Sequence, residues 1–149
     1  MSIPARLPEN PDDAAVRTLL AGVRRIAVVG LSPKPHRDSF RVSAYMQRNG
    51  FEIIPVYPRE ERILGEPVRR TVAEIEGPVD LVNVFRRAED LPDVAAEILS
   101  APSAAKAAVW FQLDCVNDEA IGTLVAAGRT VVYDRCLMVE HARLMPPRR

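Results

Sequence analysis

The chain has 149 residues, of which 48% are hydrophobic and 27% are charged. This length matches one ordinary domain of about 150 residues, and the composition supports one packed core, which excludes a disordered tail or a multidomain assembly. Twenty basic side chains balance twenty acidic ones, so the chain lacks the basic excess of a general nucleic-acid-binding protein. We therefore expect a single domain over residues 1–149, with a core of about 14–144 and a short tail rich in Pro and Arg.

Helical and strand patterns alternate along the chain. The predicted strands lie at 26–29, 51–57, 79–85, 107–112 and 130–133. Before the first strand a helix is predicted near 12–21, and after it a helix that starts at Ser39 and stops at Gly50. A brief helix with Thr71 and Glu74 as a capping box precedes the third strand, a helix at 92–99 follows it, and a helix between Asn117 and Gly128 precedes the last strand.

The five strand segments are rich in Val and Ile and are too continuous for strands with one face in water. Both faces of the sheet should be buried, and right-handed crossovers place helices on both of them. We therefore predict a doubly wound, Rossmann-like α/β domain with a five-stranded parallel sheet. Pro55 lies inside the second segment, which indicates an edge strand or a bend, because proline donates no hydrogen bond.

The loop after the first strand is the first candidate site, because ligands of open parallel sheets bind at the carboxyl ends of the strands. Gly30 allows close backbone approach, Ser32 and Ser39 offer hydroxyl groups, and the free amides of the next helix attract an anion. Lys34 and Arg37 add two cations. The pattern favours a phosphate site, and a solvated turn with ordinary surface charge is the alternative.

The residues narrow the type of phosphate ligand. The loop is not a GxGxxG motif, because Ser32 and Pro35 occupy the later glycine positions. The second strand ends without the acidic residue that usually holds the ribose of NAD, since Glu52 comes too early. Arg59, just after that strand, suits a phosphorylated ribose such as that of NADP or coenzyme A. A phosphorylated adenosine is the predicted ligand class.

The order of motifs resembles the small bacterial CoA-binding protein family, whose single domain is similar to the CoA-binding domain of succinyl-CoA synthetase. The motifs are IAVVGLSPKPHRDS, IIPVYP, ILGEPV, VDLVNVFRRAED, AVWFQL and VVYDRC, and the resemblance covers roughly residues 14–144. It implies coenzyme A as the bound cofactor. It also implies diphosphate contacts at Gly30, Ser32, Lys34, Arg37 and Ser39, and adenosine contacts at Pro55, Val56, Tyr57, Pro58, Phe85, Arg86 and Arg87.

Two positions depart from the pattern of that family. The family commonly has Asn where this chain has Tyr57, so stacking on the phenol ring would replace a polar contact. It commonly has Gly where this chain has Asp114, and a carboxylate at that position would repel a nearby phosphate.

Other polar residues follow the third and fourth strand segments. Arg86 and Arg87 are predicted at the same sheet edge as the first loop, where they either meet a polyanion or pair with Glu89 and Asp90 on the surface. Gln112 ends the fourth segment and either binds an amide of the ligand or caps the next turn.

Two cysteines also fall in loops at this edge. Cys115 and Cys136 form no CxxC motif and no disulfide framework, which is typical of a reducing compartment. A mixed disulfide with a bound thiol would require a thiolate whose pKa neighbouring cations lower. A small buried filler is the alternative role.

The remaining candidates concern catalysis and location. The sequence has no GxSxG, P-loop or HExxH motif, His36 and His141 lack metal-ligand spacing, and Trp110 is expected in the core.

We expect a cytoplasmic, non-catalytic module that binds or senses coenzyme A or an acyl-CoA, with no nucleic acid and no membrane as partner. A homodimer is compatible with the sequence. The alternative is an NADP-dependent oxidoreductase with the same cleft, which needs Tyr133 or His36 as a proton donor.

Overall fold

A computed structural model of the protein describes residues 7–146. The predicted domain of 1–149 and its tail extend past both ends of this range, so their outermost residues lie outside the described part. The helices are α1 (Asp13–Gly22), α2 (Asp38–Arg48), α3 (Leu91–Ser100), α4 (Asp118–Ala126) and α5 (Leu137–Leu144). The strands are β1 (Arg25–Val29), β2 (Glu52–Val56), β3 (Arg62–Ile63), β4 (Glu66–Pro67), β5 (Leu81–Val84), β6 (Ala108–Phe111) and β7 (Val131–Val132).

The main sheet has five parallel strands in the order β2-β1-β5-β6-β7. The chain runs outward from β1 to β2 and then returns to the other side of β1 to form β5. This reversal places the crossover helices on opposite faces, with α2 on one and α3 and α4 on the other. Helix α1, which precedes β1, and helix α5, which follows β7, pack on the same face as α2. The predicted doubly wound α/β fold is confirmed.

Both faces of the sheet are buried, as its continuous apolar strands predict. In β1, Ala27 and Val29 belong to the core beneath α3 and α4, whereas Ile26 and Val28 belong to the core beneath α1, α2 and α5. The alternation follows from the two-residue repeat of a strand. Trp110 is fully buried, and its Nε1 donates to the carbonyl of Arg135 at 2.9 Å, so its predicted place in the core is correct.

Pro55 lies in β2, which is an edge strand, as the missing N–H group predicts. Beyond it, the segment at Arg69 runs parallel to the end of β2: the amide of Arg69 donates to the carbonyl of Pro55 at 2.9 Å, and the amide of Tyr57 donates to the carbonyl of Arg69 at 3.0 Å. This pairing brings the following residue, Arg70, to the end of β2.

Helix starts agree with the sequence where a side chain caps the first turn. Asn117 accepts from the amide of Ala120 at 3.0 Å and begins α4. The predicted start of α2 at Ser39 is one residue late, because the Ser39 hydroxyl binds the preceding loop instead. The predicted capping box is wrong: the Thr71 side chain caps nothing, and Glu74 accepts from the amide of Arg70 before a single 3₁₀ turn.

Two elements were not predicted. The β3–β4 hairpin turns at Leu64 and Gly65, both with positive φ, which is typical of a two-residue hairpin loop. Helix α5 buries Leu137, Glu140, His141 and Leu144. Of these four residues only Leu137 and Leu144 are apolar, so the hydrophobic pattern is too sparse to identify α5 from the sequence.

His141 on α5 is buried between aromatic side chains. Its Nδ1 lies 2.9 Å from the hydroxyl of Tyr45, and its ring meets the rings of Tyr45 and Phe51 edge-on at 5.5 Å between centroids. Burial lowers the pKa of His141, because the charged imidazolium loses hydration there.

Within residues 7–146, every helix is too short or too polar to cross a membrane.

His141 should make stability fall in mild acid. Its pKa is lower in the folded chain than the unfolded value of about 6.5, so the unfolded state binds more protons below that pH. The free energy of unfolding should therefore decrease as the pH falls from 7.5 to 5.5. Urea titrations should show a smaller decrease for His141→Gln than for wild type. Identical pH dependence in wild type and His141→Gln would contradict the assignment.

Candidate functional site

A cleft opens where the carboxyl ends of β1, β2 and β5 meet, at the point where the crossovers change direction. This is the expected ligand position in a doubly wound sheet. The cleft has two adjoining parts. The part beside the loop after β1 has a volume of about 430 Å³, and we call it the loop lobe. The part that Arg86 and Arg87 line has a volume of about 730 Å³, and we call it the arginine lobe. Both lobes share Gly30, Tyr57, Arg59 and Phe85. The loop lobe adds Ser32, Lys34, Arg37, Asp38 and Ser39.

Gly30 is required by the neighbouring strand. Its φ is +85°, and a Cβ atom at this position would lie 2.2 Å from the carbonyl oxygen of Phe85. Its amide donates to Val56 at 2.9 Å, and the amide of Phe85 donates to Val29 at 2.9 Å. Gly30 was predicted to let the backbone approach a ligand closely, and in the structure it closely approaches the backbone at the end of β5.

Hydrogen bonds within the loop fix its shape. The amide of Ser32 donates to the Ser39 hydroxyl at 3.0 Å, and the amide of Lys34 donates to the Ser32 hydroxyl at 3.1 Å. Each of these hydroxyl groups accepts through oxygen and keeps its own hydrogen to donate. The side chain of Arg41 binds the His36 carbonyl and the Asp38 carboxylate.

The loop lobe combines exposed cations with the first turn of a helix. Arg37, the residue before α2, makes no side-chain cap, so the first amides of that helix are left to other acceptors. Lys34 and Arg37 are exposed and line the lobe. Asp38 places a negative charge in the first turn, where its pairing with Arg41 offsets it. His36 is exposed and is not among the lining residues.

The end of β2 supplies the wall shared by the lobes. The guanidinium carbon of Arg59 lies 5.4 Å from the centre of the Tyr57 ring, and its Nη2 donates to the Tyr57 hydroxyl at 3.3 Å. Arg70 holds this segment through Nη1, which donates to the carbonyls of Tyr57 at 3.1 Å and Arg59 at 2.7 Å. Arg70 was not predicted as a site residue, because it returns to this edge only through the β3–β4 hairpin, which was not predicted either.

Arg86 and Arg87, at the end of β5, line the arginine lobe and also form ion pairs. Both donate to Asp90, at 3.2 and 3.3 Å, and Arg87 pairs with Glu89 at 3.3 Å. The surface-pairing alternative is therefore present in the structure. Partial burial acts to raise the pKa of Asp90, but the hydrogen bonds and charges of the two arginines lower it overall.

Gln112 and Asp114 have structural roles after β6. Gln112 is buried, and its side chain accepts from the amide of Leu137 at 2.9 Å, at the start of α5 and not in the turn that follows β6. It is absent from the described lining of both lobes. Asp114 lines the arginine lobe with φ +65°, and its amide donates to Asp134 at 2.9 Å. A left-handed backbone is a conformation that glycine adopts without strain and that aspartate adopts less readily.

The two cysteines differ in position. Cys115 lines the arginine lobe but is buried, and its Sγ donates to the carbonyl of Arg86 at 3.2 Å. Burial raises the pKa of the Cys115 thiol. The reactive thiolate with a lowered pKa is therefore wrong for this residue. Cys136 directly precedes α5 and does not line either lobe.

Comparisons with known proteins identify the family of this fold. A family model described as a CoA binding domain matches residues 24–142. The uncharacterized protein YneT of Bacillus subtilis (strain 168) is 46% identical over 134 residues, which are 90% of this chain and 97% of that protein. A hypothetical protein from Pyrococcus horikoshii OT3 superposes with a TM-score of 0.87 and 31% identity over 98% of this chain and 100% of its own. The Thermus thermophilus protein ID.343 superposes with a TM-score of 0.85 and 34% identity, over 91% of this chain and 100% of its own.

The Gly30 contact predicts a large loss of stability on substitution. Gly30→Ala should lower the free energy of unfolding by at least about 3 kcal/mol, because the methyl group collides with Phe85 in addition to the left-handed strain. Gly128→Ala is the matched control: its φ is +82° with no atom within 4 Å of the new Cβ, so only the strain of about 1–2 kcal/mol applies. Equal losses in urea unfolding would show that the collision with Phe85 costs nothing.

Proposed function

Since the chain belongs to the CoA-binding domain family, we propose that it binds coenzyme A, or an acyl-CoA, across the carboxyl ends of β1, β2 and β5. Its role is that of a non-catalytic binding or sensing module. The observation that carries the proposal is the placement of cations at two ends of the cleft, with Lys34 and Arg37 in the loop lobe, Arg86 and Arg87 in the arginine lobe, and Arg59 on the wall between them. Coenzyme A likewise carries two phosphate groups, a 5′-diphosphate and a separate 3′-phosphate on the ribose.

The diphosphate is assigned to the loop lobe. Lys34 and Arg37 supply charge, the hydroxyls of Ser32 and Ser39 retain hydrogens to donate, and the first turn of α2 presents amides. The backbone of Gly30 forms the base of this lobe. Because the loop is already held by its own hydrogen bonds, little ordering is needed on binding.

The adenosine is assigned to the wall shared by both lobes. Tyr57 and Phe85 offer aromatic surface on either side of Gly30, and Val56 and Pro58 line the arginine lobe beside them. A base stacked on Tyr57 replaces the polar contact of the residue that is common in the family. Gln112 is left out of this contact set, because its amide oxygen is held by Leu137.

The 3′-phosphate is assigned to the arginine lobe. Arg59, Arg86 and Arg87 line it, and guanidinium groups bind phosphate oxygens in pairs. Asp114 places a carboxylate at the β6 end of the lobe, which disfavours a phosphate there and confines it to the β2 and β5 side.

Removal of a cation from the loop lobe should weaken binding. In calorimetric titrations with coenzyme A, Lys34→Ala and Arg37→Ala should each lose about 1–3 kcal/mol, the range of a hydrogen bond to a charged group. Lys106→Ala is the matched control, since this exposed lysine precedes β6 at the opposite sheet edge. Unchanged affinity in both loop variants, with measurable binding by wild type, would place the diphosphate elsewhere.

The 3′-phosphate assignment is tested by comparing coenzyme A, dephospho-CoA and NADP. Wild type should prefer coenzyme A to dephospho-CoA, and Arg59→Ala should reduce that preference by about tenfold, which corresponds to 1.4 kcal/mol. Arg24→Ala, an exposed arginine at the start of β1, should leave the preference unchanged. Negligible heat with coenzyme A would exclude the proposed function, and tighter binding of NADP would favour the oxidoreductase alternative.

A further inference from the structure

We propose that Asp90 is the resident counter-anion of Arg86 and Arg87, and that the 3′-phosphate of the ligand displaces it from both guanidinium groups. This inference rests on the proposed function and makes Asp90 a specificity-determining residue of the arginine lobe. The carboxylate competes only with a ligand that brings a phosphate to these two arginines.

One carboxylate oxygen carries both contacts. Oδ2 of Asp90 accepts from Nη2 of Arg86 at 3.2 Å and from Nε of Arg87 at 3.3 Å. Both distances exceed the 2.7–2.9 Å or so of a strong hydrogen bond between a guanidinium and a carboxylate. The arginines are thus held in place, but by bonds that a better acceptor can replace.

The carboxylate serves no other described partner. Asp90 directly precedes α3, a position where aspartate usually caps the helix, yet its side chain makes no cap hydrogen bond. Its side chain is 24% exposed and lines the lobe, whereas that of Glu89 is 71% exposed and does not line it. Asp90 thus lines the same lobe as the two arginines with which it pairs, where it competes with an anionic ligand for them.

The charge of the incoming group decides the exchange. Exposed ion pairs contribute little to stability, and a phosphate monoester brings nearly two negative charges and three acceptor oxygens. Such a group can replace the carboxylate on both guanidiniums, whereas a ribose hydroxyl cannot. A ligand without the 3′-phosphate therefore leaves the Asp90 contacts intact.

The test compares Asp90→Asn with Glu89→Gln, which removes the same charge one residue away. Calorimetric titrations use coenzyme A and dephospho-CoA on the full chain. Asp90→Asn should tighten binding of coenzyme A about three- to tenfold and change that of dephospho-CoA less than about twofold. Glu89→Gln should change both affinities less than about twofold. Asp90→Ser should repeat the Asp90→Asn result, and thermal melts verify that each variant is folded.

Three results would overturn the inference while leaving coenzyme A binding in place. They are weaker binding of coenzyme A by the folded Asp90 variants, equal tightening for both ligands, and an equal effect of Glu89→Gln. The first would make Asp90 a support that positions the arginines, and the other two would reduce it to a general charge effect. Wild type that binds neither ligand would instead exclude the proposed function together with this inference.

Discussion

The backbone of Gly30 passes the carbonyl of Phe85 at a distance that leaves no room for a side chain. This contact lies between β1 and β5, where the direction of the crossovers reverses, and it joins the two loops that flank the cleft. The amides of Gly30 and Phe85 continue the ladders of the sheet beyond the last strand residues. The cleft therefore has a rigid base of backbone, and its charged side chains are arranged around that base.

The charge of the cleft differs from that of the whole chain. The chain has no net charge, whereas among the residues that line the two lobes six are cationic and four are acidic. Topology produces this excess, because the loops after three different strands converge at one edge. A balanced overall composition is thus compatible with a local excess of positive charge at one edge of the sheet.

The sequence predicted those features of the fold that depend on local patterns. Five apolar segments identified the strands of the main sheet, and Pro55 indicated its edge. Helix α5 was missed because two of its four buried residues, Glu140 and His141, are polar. The hairpin was missed because its strands have two residues each. Arg70 reaches the cleft through that hairpin, so no local pattern marks it. Pairings such as Gly30 with Phe85 depend on strand order, which the sequence alone does not state.

The acidic residues of the cleft have separate physical effects on an anionic ligand. Asp38 is paired with Arg41, so its charge reduces the attraction of the loop lobe for an anion only slightly. Asp114 disfavours phosphate at the β6 end, and its left-handed backbone and bond to Asp134 hold it there. Asp90 pairs directly with the guanidinium groups of Arg86 and Arg87. A site built only of cations would bind any polyanion, whereas fixed carboxylates make affinity depend on where each phosphate of the ligand lies. For a ligand with two separated phosphate groups, this arrangement reduces total affinity and increases discrimination against nucleotides that lack one of them.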